Sequence, residues 1–217
     1  MKLKPLFQIF IKGILAGIAI GIGGIIFLKT KEQTGLVVLP ALLFPIGLIL
    51  ICNFDFYLYT GKICYLPSSI SQKTTLGTIV KLVIGLIGNL LGTTILGIIL
   101  HQVIPPTTLV EKMLEVKINY EWWQLIVLGI CCGGLIYFAV EGYQKINNNL
   151  GKYIVLICCI SGFIICGFEH CIADMFYFAY ALSFNIDTLT TILLVIVGNS
   201  IGGILLYLLT TLSSKLK

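Results

Sequence analysis

Long runs of apolar residues, separated by short polar links, dominate this sequence. A helix needs about 20 predominantly apolar residues to cross the hydrocarbon core of a bilayer. Six charge-poor segments are candidates for such helices. They cover about 5–28, a stretch from 36, 78–101, 122–140, a stretch from 153, and 188–212. The pattern predicts an all-α integral membrane protein with six transmembrane helices.

The composition supports a membrane protein. Of the 217 residues 58% are hydrophobic and 11% are charged, and that charged fraction is roughly half of what a soluble domain carries. The 14 basic residues are all Lys. Nucleic acids are bound best by the forked guanidinium group of Arg, so the net charge of +5 does not indicate a nucleic-acid partner.

Cysteine and histidine are too scattered to predict a metal site. None of the eight cysteines forms a C-x-x-C motif, and most lie within apolar runs, where Cys behaves as a small hydrophobic residue. There are two histidines, His101 and His170, and no H-E-x-x-H motif. We therefore expect no metal and no cofactor.

Glu169 and His170 stand side by side within the fifth segment. An ionisable pair at membrane depth is costly and usually faces protein or a water-filled pathway. One interpretation is a buried pair that locks two helices together. The other is a substrate or proton site, which we favour.

The second segment is interrupted by polar residues. Pro40 and Pro45 disturb its beginning, and a polar stretch follows at 53–62. Either the helix ends near Cys52 and a surface loop follows, or the helix is broken inside the membrane. The aromatic residues of this stretch suit a surface loop poorly, so we favour a broken helix whose exposed backbone is surrounded by protein.

Matched spacings indicate an internal repeat. Asn89 and Asn199, each in a G-N-x-x-G motif, are 110 residues apart, and so are Thr60 and His170. Three helices per unit is an odd number, so the second copy enters the membrane from the opposite side. We predict one transmembrane channel domain, 1–217, with inverted repeats at about 5–101 and 115–212 and broken second and fifth helices.

The first segment carries a stripe of small residues. Gly13, Gly17 and Gly21 recur every four residues, with Gly24 close behind. Such a stripe lets a second helix approach closely. A phosphate-binding loop would be followed by Lys-Ser or Lys-Thr, which is absent here, so we expect a packing surface.

Two stretches resemble the signatures of the formate/nitrite transporter family. They are G-F-E-H-C-I-A-D-M-F at 167–176 and F-P-I-G-L-I-L-I-C-N-F-D-F-Y-L-Y-T-G at 44–61, and the paired G-N-x-x-G motifs also fit. The resemblance covers roughly 7–207. It implies an aquaporin-like fold of two three-helix halves, assembled as a homopentamer in the lipid bilayer.

The resemblance also implies roles for single residues. His170 would be the central pore histidine, and Thr60 would be the hydroxyl facing it. Supporting positions along the substrate pathway would be Glu169 at the break, Asn199 in the polar frame, and Lys117 in a vestibule. The apolar gates would comprise Phe44 and Leu48 on one side of the pore, Phe163 on the other side, and Leu58 and Tyr59 in a flexible loop.

Three residues depart from the family pattern. Tyr59 replaces the usual Phe, and Asp174 stands where Asn is common. Gly133 occupies a position often held by Asn, so we expect one polar contact of the centre to be missing.

The implied function is transport of a small monovalent weak-acid anion such as formate, nitrite or hydrosulfide. The substrate would take a proton and cross the apolar gates as the neutral acid, which avoids the cost of dehydrating an anion. The alternative is a water or neutral-solute channel of similar architecture, but this chain lacks the expected Asn-Pro-Ala motifs. An intramembrane hydrolase would need an activated nucleophile, and cysteines at membrane depth are poor thiolates, so we predict no enzyme.

The lysines predict the orientation in a cell membrane. Nine of them fall on one predicted side and four on the other, with Lys62 in the break left uncounted. The richer side includes both ends of the chain, so by the positive-inside rule both termini are cytoplasmic.

Overall fold

The computed structural model describes residues 3–216, which form helices joined by short links and contain no strand. Within that range the α-helices are α1 (Leu3–Thr34), α2 (Val38–Leu43), α3 (Ile46–Asn53), α4 (Tyr59–Lys62), α5 (Leu66–Ser71), α6 (Thr75–Val103), α7 (Thr108–Ile118), α8 (Trp122–Lys145), α9 (Asn149–Ile165), α10 (Cys171–Tyr180) and α11 (Ile186–Lys215), and a 3₁₀ turn covers Ile63–Tyr65.

Four of the described helices, α1, α6, α8 and α11, are long and apolar enough to cross a membrane. They have 24 to 32 residues, and at about 1.5 Å per residue each exceeds the hydrocarbon thickness. They confirm helices in the first, third, fourth and sixth predicted segments. Large apolar side chains such as Ile87 and Leu193 are half exposed on their outer faces, as lipid-facing residues are. The chain is therefore a multi-pass membrane protein.

Helices α1 and α6 pack together through glycines on both sides. A Cβ atom at Gly17 would lie 2.3 Å from the carbonyl oxygen of Asn89, and one at Gly92 would lie 2.1 Å from that of Ile14. Neither position has room for a side chain, so the backbones meet directly. The predicted packing role of the glycine stripe is confirmed.

Helices α8 and α11 pack in the same way. A Cβ atom at Gly133 would lie 2.1 Å from the carbonyl oxygen of Asn199, and one at Gly202 would lie 2.0 Å from that of Ile130. Gly133 therefore serves the close packing of two helices, and the missing polar contact stays a prediction. An asparagine could not fit there, because the backbone of α11 occupies the space that its side chain would need.

The second and fifth predicted segments are divided into shorter helices. Helix α3 ends at Asn53 and a link of five residues leads to α4, while α9 ends at Ile165 and a link of five residues leads to α10. Each link contains one residue with positive φ, Asp55 at 51° and Gly167 at 68°. That left-handed geometry turns the chain sharply between two helices of one segment.

Helix α10 forms the centre of the core. All ten of its residues are buried, and it packs against α1, α6 and α11. The links that precede α4 and α10 enter this core only at their ends: Leu58 and His170 are buried, whereas the first residues of both links are exposed.

The close approach at Gly133 gives a test of this packing. Gly133→Ala forces the backbones of α8 and α11 apart, and overpacking of this kind costs about 1–3 kcal/mol or more. We expect a clearly lower unfolding temperature in detergent. Gly162→Ala is the matched control, because a Cβ atom there meets nothing within 4 Å. Equal unfolding temperatures for the two variants would contradict the contact.

Candidate functional site

Two helix beginnings meet at the centre of the protein. Leu58 is the residue before α4, and His170 is the residue before α10. The Oγ1 atom of Thr60, in the first turn of α4, lies 3.0 Å from the Nε2 atom of His170. Both side chains are buried, with 1% and 2% of their surface exposed. The structure therefore brings together the two residues that the sequence proposed as partners.

The hydrogen bonds of His170 fix its tautomer. Its Nδ1 atom accepts a hydrogen bond from the backbone N–H of Ala173 at 3.3 Å, so Nδ1 carries no hydrogen. In a neutral ring the hydrogen then sits on Nε2, which donates to the hydroxyl oxygen of Thr60. The hydroxyl hydrogen of Thr60 remains free to donate to a third group. The centre is thus a neutral pair of hydrogen-bonding groups.

The side-chain amide of Asn199 holds the link before α10. Its Oδ1 accepts from the backbone N–H of Cys171 at 3.0 Å, and its Nδ2 donates to the carbonyl oxygen of Glu169 at 2.8 Å. Nδ2 also donates to the carbonyl of Gly129 on α8 at 2.9 Å. One buried amide thus ties the residues on either side of His170 to a neighbouring helix.

Asn89 does the same for the link before α4. Its Oδ1 accepts from the backbone N–H of Tyr59 at 2.9 Å, and its Nδ2 donates to the carbonyls of Tyr57 at 2.8 Å and Gly13 at 2.9 Å. The sequence analysis recognised the repeated motif but did not include Asn89 among the site residues. The repetition of G-N-x-x-G was the signal that could have found it.

The hydrogen bonds of the two amides match different positions in the two halves of the chain than the sequence spacing does. Asn89 binds the residues on either side of Leu58, as Asn199 binds those on either side of His170. Leu58 is therefore the counterpart of His170. The 110-residue spacing of Thr60 and His170 therefore does not mark equivalent positions, because the segment from Leu58 to Asn89 is two residues longer than that from His170 to Asn199.

Lys117 is buried and bonded to two carboxylates. Its Nζ atom forms ion pairs with Glu169 and with Oδ1 of Asp174, the latter at 2.9 Å. Burial lowers the pKa of Lys117, but the charges of Asp174 and Glu169 outweigh burial and hold the pKa above its ordinary value. The side chain stays charged. The sequence analysis did not foresee that two carboxylates share this ammonium group, and the vestibule role of Lys117 stays a prediction.

A cavity of about 400 Å³ adjoins this cluster. Lys117, Glu169, His170 and Asp174 contribute its polar lining. Aromatic residues close to His170 contribute apolar walls, and the ring centroids of Phe163 and His170 are 5.8 Å apart. A small substrate in this cavity would meet the central histidine directly.

A second cavity, of about 230 Å³, is lined by Leu58 and Gly61, which flank the Tyr59–Thr60 pair. Lys62 also lines it, although sequence reasoning did not assign that residue a role. The first cavity thus reaches His170, and the second reaches the neighbours of Thr60.

The apolar gate residues are grouped differently from the expectation. The rings of Phe44 and Phe163 pack edge to face with centroids 6.1 Å apart, and both line the first cavity. Leu48, one turn further along the chain, lines the second cavity together with Leu58. Phe44, which follows α2, thus lies with Phe163 in the first cavity, and Leu48 on α3 lies with Leu58 in the second, while the gate roles stay predictions.

Tyr59 is firmly held. It is the first residue of α4, and its backbone N–H is bonded to Asn89. Its hydroxyl lies 2.9 Å from the Oγ of Ser200 on α11, which accounts for the extra hydroxyl in place of the usual Phe. Both the backbone and the hydroxyl of Tyr59 thus have partners in this structure, and the flexible loop at Leu58 and Tyr59 stays a prediction.

Comparison with known proteins gives consistent matches over most of the chain. A family model described as "Formate/nitrite transporter" matches residues 1–213. A probable formate transporter of Methanothermobacter thermautotrophicus is 26% identical, with 92% of this chain and 85% of that protein covered. Formate channel FocA of Haemophilus influenzae is 25% identical, with 80% and 66% covered. A formate-nitrite transporter of Plasmodium vivax is 24% identical, with 92% and 74% covered.

Solved structures share the fold. One described as an "FNT family ion channel" matches with a TM-score of 0.88 at 20% identity, covering 96% of this chain and 90% of that one. One described as a "pentameric formate channel with formate bound" matches with a TM-score of 0.86 at 24% identity, covering both chains completely.

The tautomer of His170 can be tested without any transport measurement. In Thr60→Val the Nε2 hydrogen loses its acceptor, so we expect the ¹⁵N resonance of Nε2 to move while that of Nδ1 changes little. Thr60→Ser keeps the hydroxyl and should retain the parent spectrum. Solid-state NMR of ring-labelled protein in lipid makes the measurement. A hydrogen found on Nδ1 in the parent would contradict the assignment.

Proposed function

Since the chain belongs to the formate/nitrite transporter family, we propose that it is a membrane channel for small monovalent weak-acid anions such as formate, nitrite and hydrosulfide. The observation that carries this proposal is the hydrogen-bonded pair of Thr60 and His170, enclosed at the meeting point of two helix beginnings. Apolar residues stand on either side of it, and a cavity reaches each side.

The walls near the centre favour a neutral permeant. An anion between the rings of Phe44 and Phe163 would lose hydration against apolar side chains, which is costly. Low dielectric favours the uncharged form of an acid, so a weak acid that takes a proton can pass as the neutral molecule. The hydroxyl of Thr60 and the Nε2–H of His170 offer it hydrogen bonds on the way. Protons and anions then move together.

The proposed topology is six membrane crossings in two inverted halves, about 5–101 and 115–212. The paired asparagine contacts support it, because each half contains one amide that binds one interrupted helix and one long helix. Helices α1 and α6 pack through glycines in one half, and α8 and α11 do so in the other. The divided second and fifth segments each count as one crossing.

The proposed assembly is a homopentamer in the cell membrane with both termini cytoplasmic. The structurally similar pentameric formate channel supports the pentamer, and the half-exposed apolar faces of α6 and α11 offer surface for lipid and for neighbouring subunits. The orientation rests on the uneven distribution of lysines. Two of those counted, Lys2 and Lys217, lie outside the described residues.

The function is tested by uptake into proteoliposomes. We expect formate, nitrite and hydrosulfide to enter, sulfate to be excluded, and uptake to rise when the external pH is lowered from 8 to 5. Empty liposomes give the background, and osmotic swelling of the same vesicles measures water flow. Rapid water flow without anion uptake would show a water channel and contradict the proposal. Anion uptake that does not depend on the proton gradient would exclude joint movement of proton and anion.

The gates are tested by shortening their side chains. Phe163→Ala and Leu48→Ala widen the two constrictions, so we expect faster formate uptake or weaker exclusion of larger anions, with changes of about tenfold if roughly 1.4 kcal/mol of the barrier is removed. Phe184→Ala is the matched control, since this side chain is 61% exposed and should leave uptake unchanged. Parent-like flux and selectivity in both gate variants would place the constrictions elsewhere.

A further inference from the structure

The cluster of Lys117, Glu169 and Asp174 contains more acidic groups than basic groups. It contains one ammonium group and two carboxyl groups, all of them buried. With both carboxyl groups ionised, the cluster carries a net charge of −1. All three residues line the cavity that reaches His170, as do Lys31 and Lys112, and the negative charge of the cluster opposes the attraction of these lysines for the anion that the channel is proposed to carry.

One oxygen of Asp174 has no partner. Its Oδ1 is paired with Lys117 at 2.9 Å, whereas its Oδ2 is buried without a hydrogen-bond partner among residues 3–216. Only 1% of the side chain is exposed. An ionised oxygen in such a place is costly, and two carboxylates near one another cannot both ionise easily. A proton on Oδ2 removes the excess charge.

The other titratable groups that face Asp174 are either paired or neutral. Lys117 faces it from α7 and Glu169 from the link before α10, where they form the ion pair described above. His170 lies in the same link and has both ring nitrogens engaged. The remaining neighbours are the thiols of Cys132 and Cys171 and the hydroxyl of Tyr177. Thiols and phenols without an activating partner are neutral in this range.

We propose that Asp174 is a proton-binding site whose occupancy sets the charge of this cavity and so admits or repels the substrate anion. With the proton bound the cluster is neutral, and an anion can approach the ammonium group of Lys117. Without it the cluster is negative and the anion binds more weakly. Asn is common at this position in the family that the chain resembles, and its side chain takes no proton. The proposed proton site is therefore particular to chains with Asp here. The proposal rests on the proposed anion transport.

The size of the effect follows from electrostatics. A unit charge about 8 Å from an anion, at an effective dielectric constant of about 20, changes its binding by roughly tenfold or more. Formate itself stays almost fully ionised between pH 5 and 8. A change of anion affinity across that range therefore reports titration of the protein.

The first experiment measures exchange of labelled formate across proteoliposomes with equal pH and equal formate on both sides. We expect the KM of the parent to rise about tenfold from pH 5 to pH 8, and that of Asp174→Asn to stay low throughout. Asp187→Asn removes an exposed carboxyl group and should follow the parent. A parent KM that ignores pH, or an Asp174→Asn profile like that of the parent, would overturn the proposal.

The second experiment detects the proton directly by infrared spectroscopy in lipid. We expect the parent to show the C=O band of a protonated carboxyl group at pH 6, where exposed carboxyl groups are ionised, and to lose it towards high pH. Asp174→Asn should lack the band; if that variant does not assemble, Asp174→Glu should shift it. A parent without such a band contradicts the proposal. If no anion exchange occurs at any pH, the proposed function fails, while the infrared titration still decides whether Asp174 binds a proton.

Discussion

An interrupted helix inside a membrane leaves backbone N–H and C=O groups that lipid cannot satisfy, and the rest of this structure depends on how those groups find partners. Two asparagine amides, Asn89 and Asn199, provide them, and both are completely buried. Each amide also binds a carbonyl of the long helix that packs beside it. The glycine contacts are what bring that helix close enough, so packing and polar satisfaction depend on one another.

The central pair follows from this constraint. Because Asn199 fixes the backbone on both sides of His170, the imidazole can cap α10 with one nitrogen and reach Thr60 with the other. The equivalent position in the other half is Leu58, which brings no polar group. The centre is therefore asymmetric and uncharged, with hydrogen-bonding groups surrounded by apolar walls. Such a site suits a small neutral acid better than a bare ion.

The same link determines the electrostatics of the neighbouring cavity. The turn before α10 places Glu169 next to Lys117, and Asp174 follows one helical turn after His170. Lys117 is thus one member of a cluster that contains two carboxyl groups and one ammonium group. The ammonium group is therefore bonded within the protein by two carboxyl groups.

The sequence by itself determined the four longest helices, the glycine packing stripe, and the residues at the centre. Those properties are local, since hydropathy and small-residue spacing reflect one segment at a time. The tertiary structure alone decided which side chains meet: Phe44 with Phe163, Lys117 with Asp174, and Leu58 as the counterpart of His170. It also decided that Gly133 admits no side chain. The physical reason is that lipid-facing and core-facing positions are both apolar in a membrane, so the sequence pattern does not reveal how each helix is rotated against its neighbours.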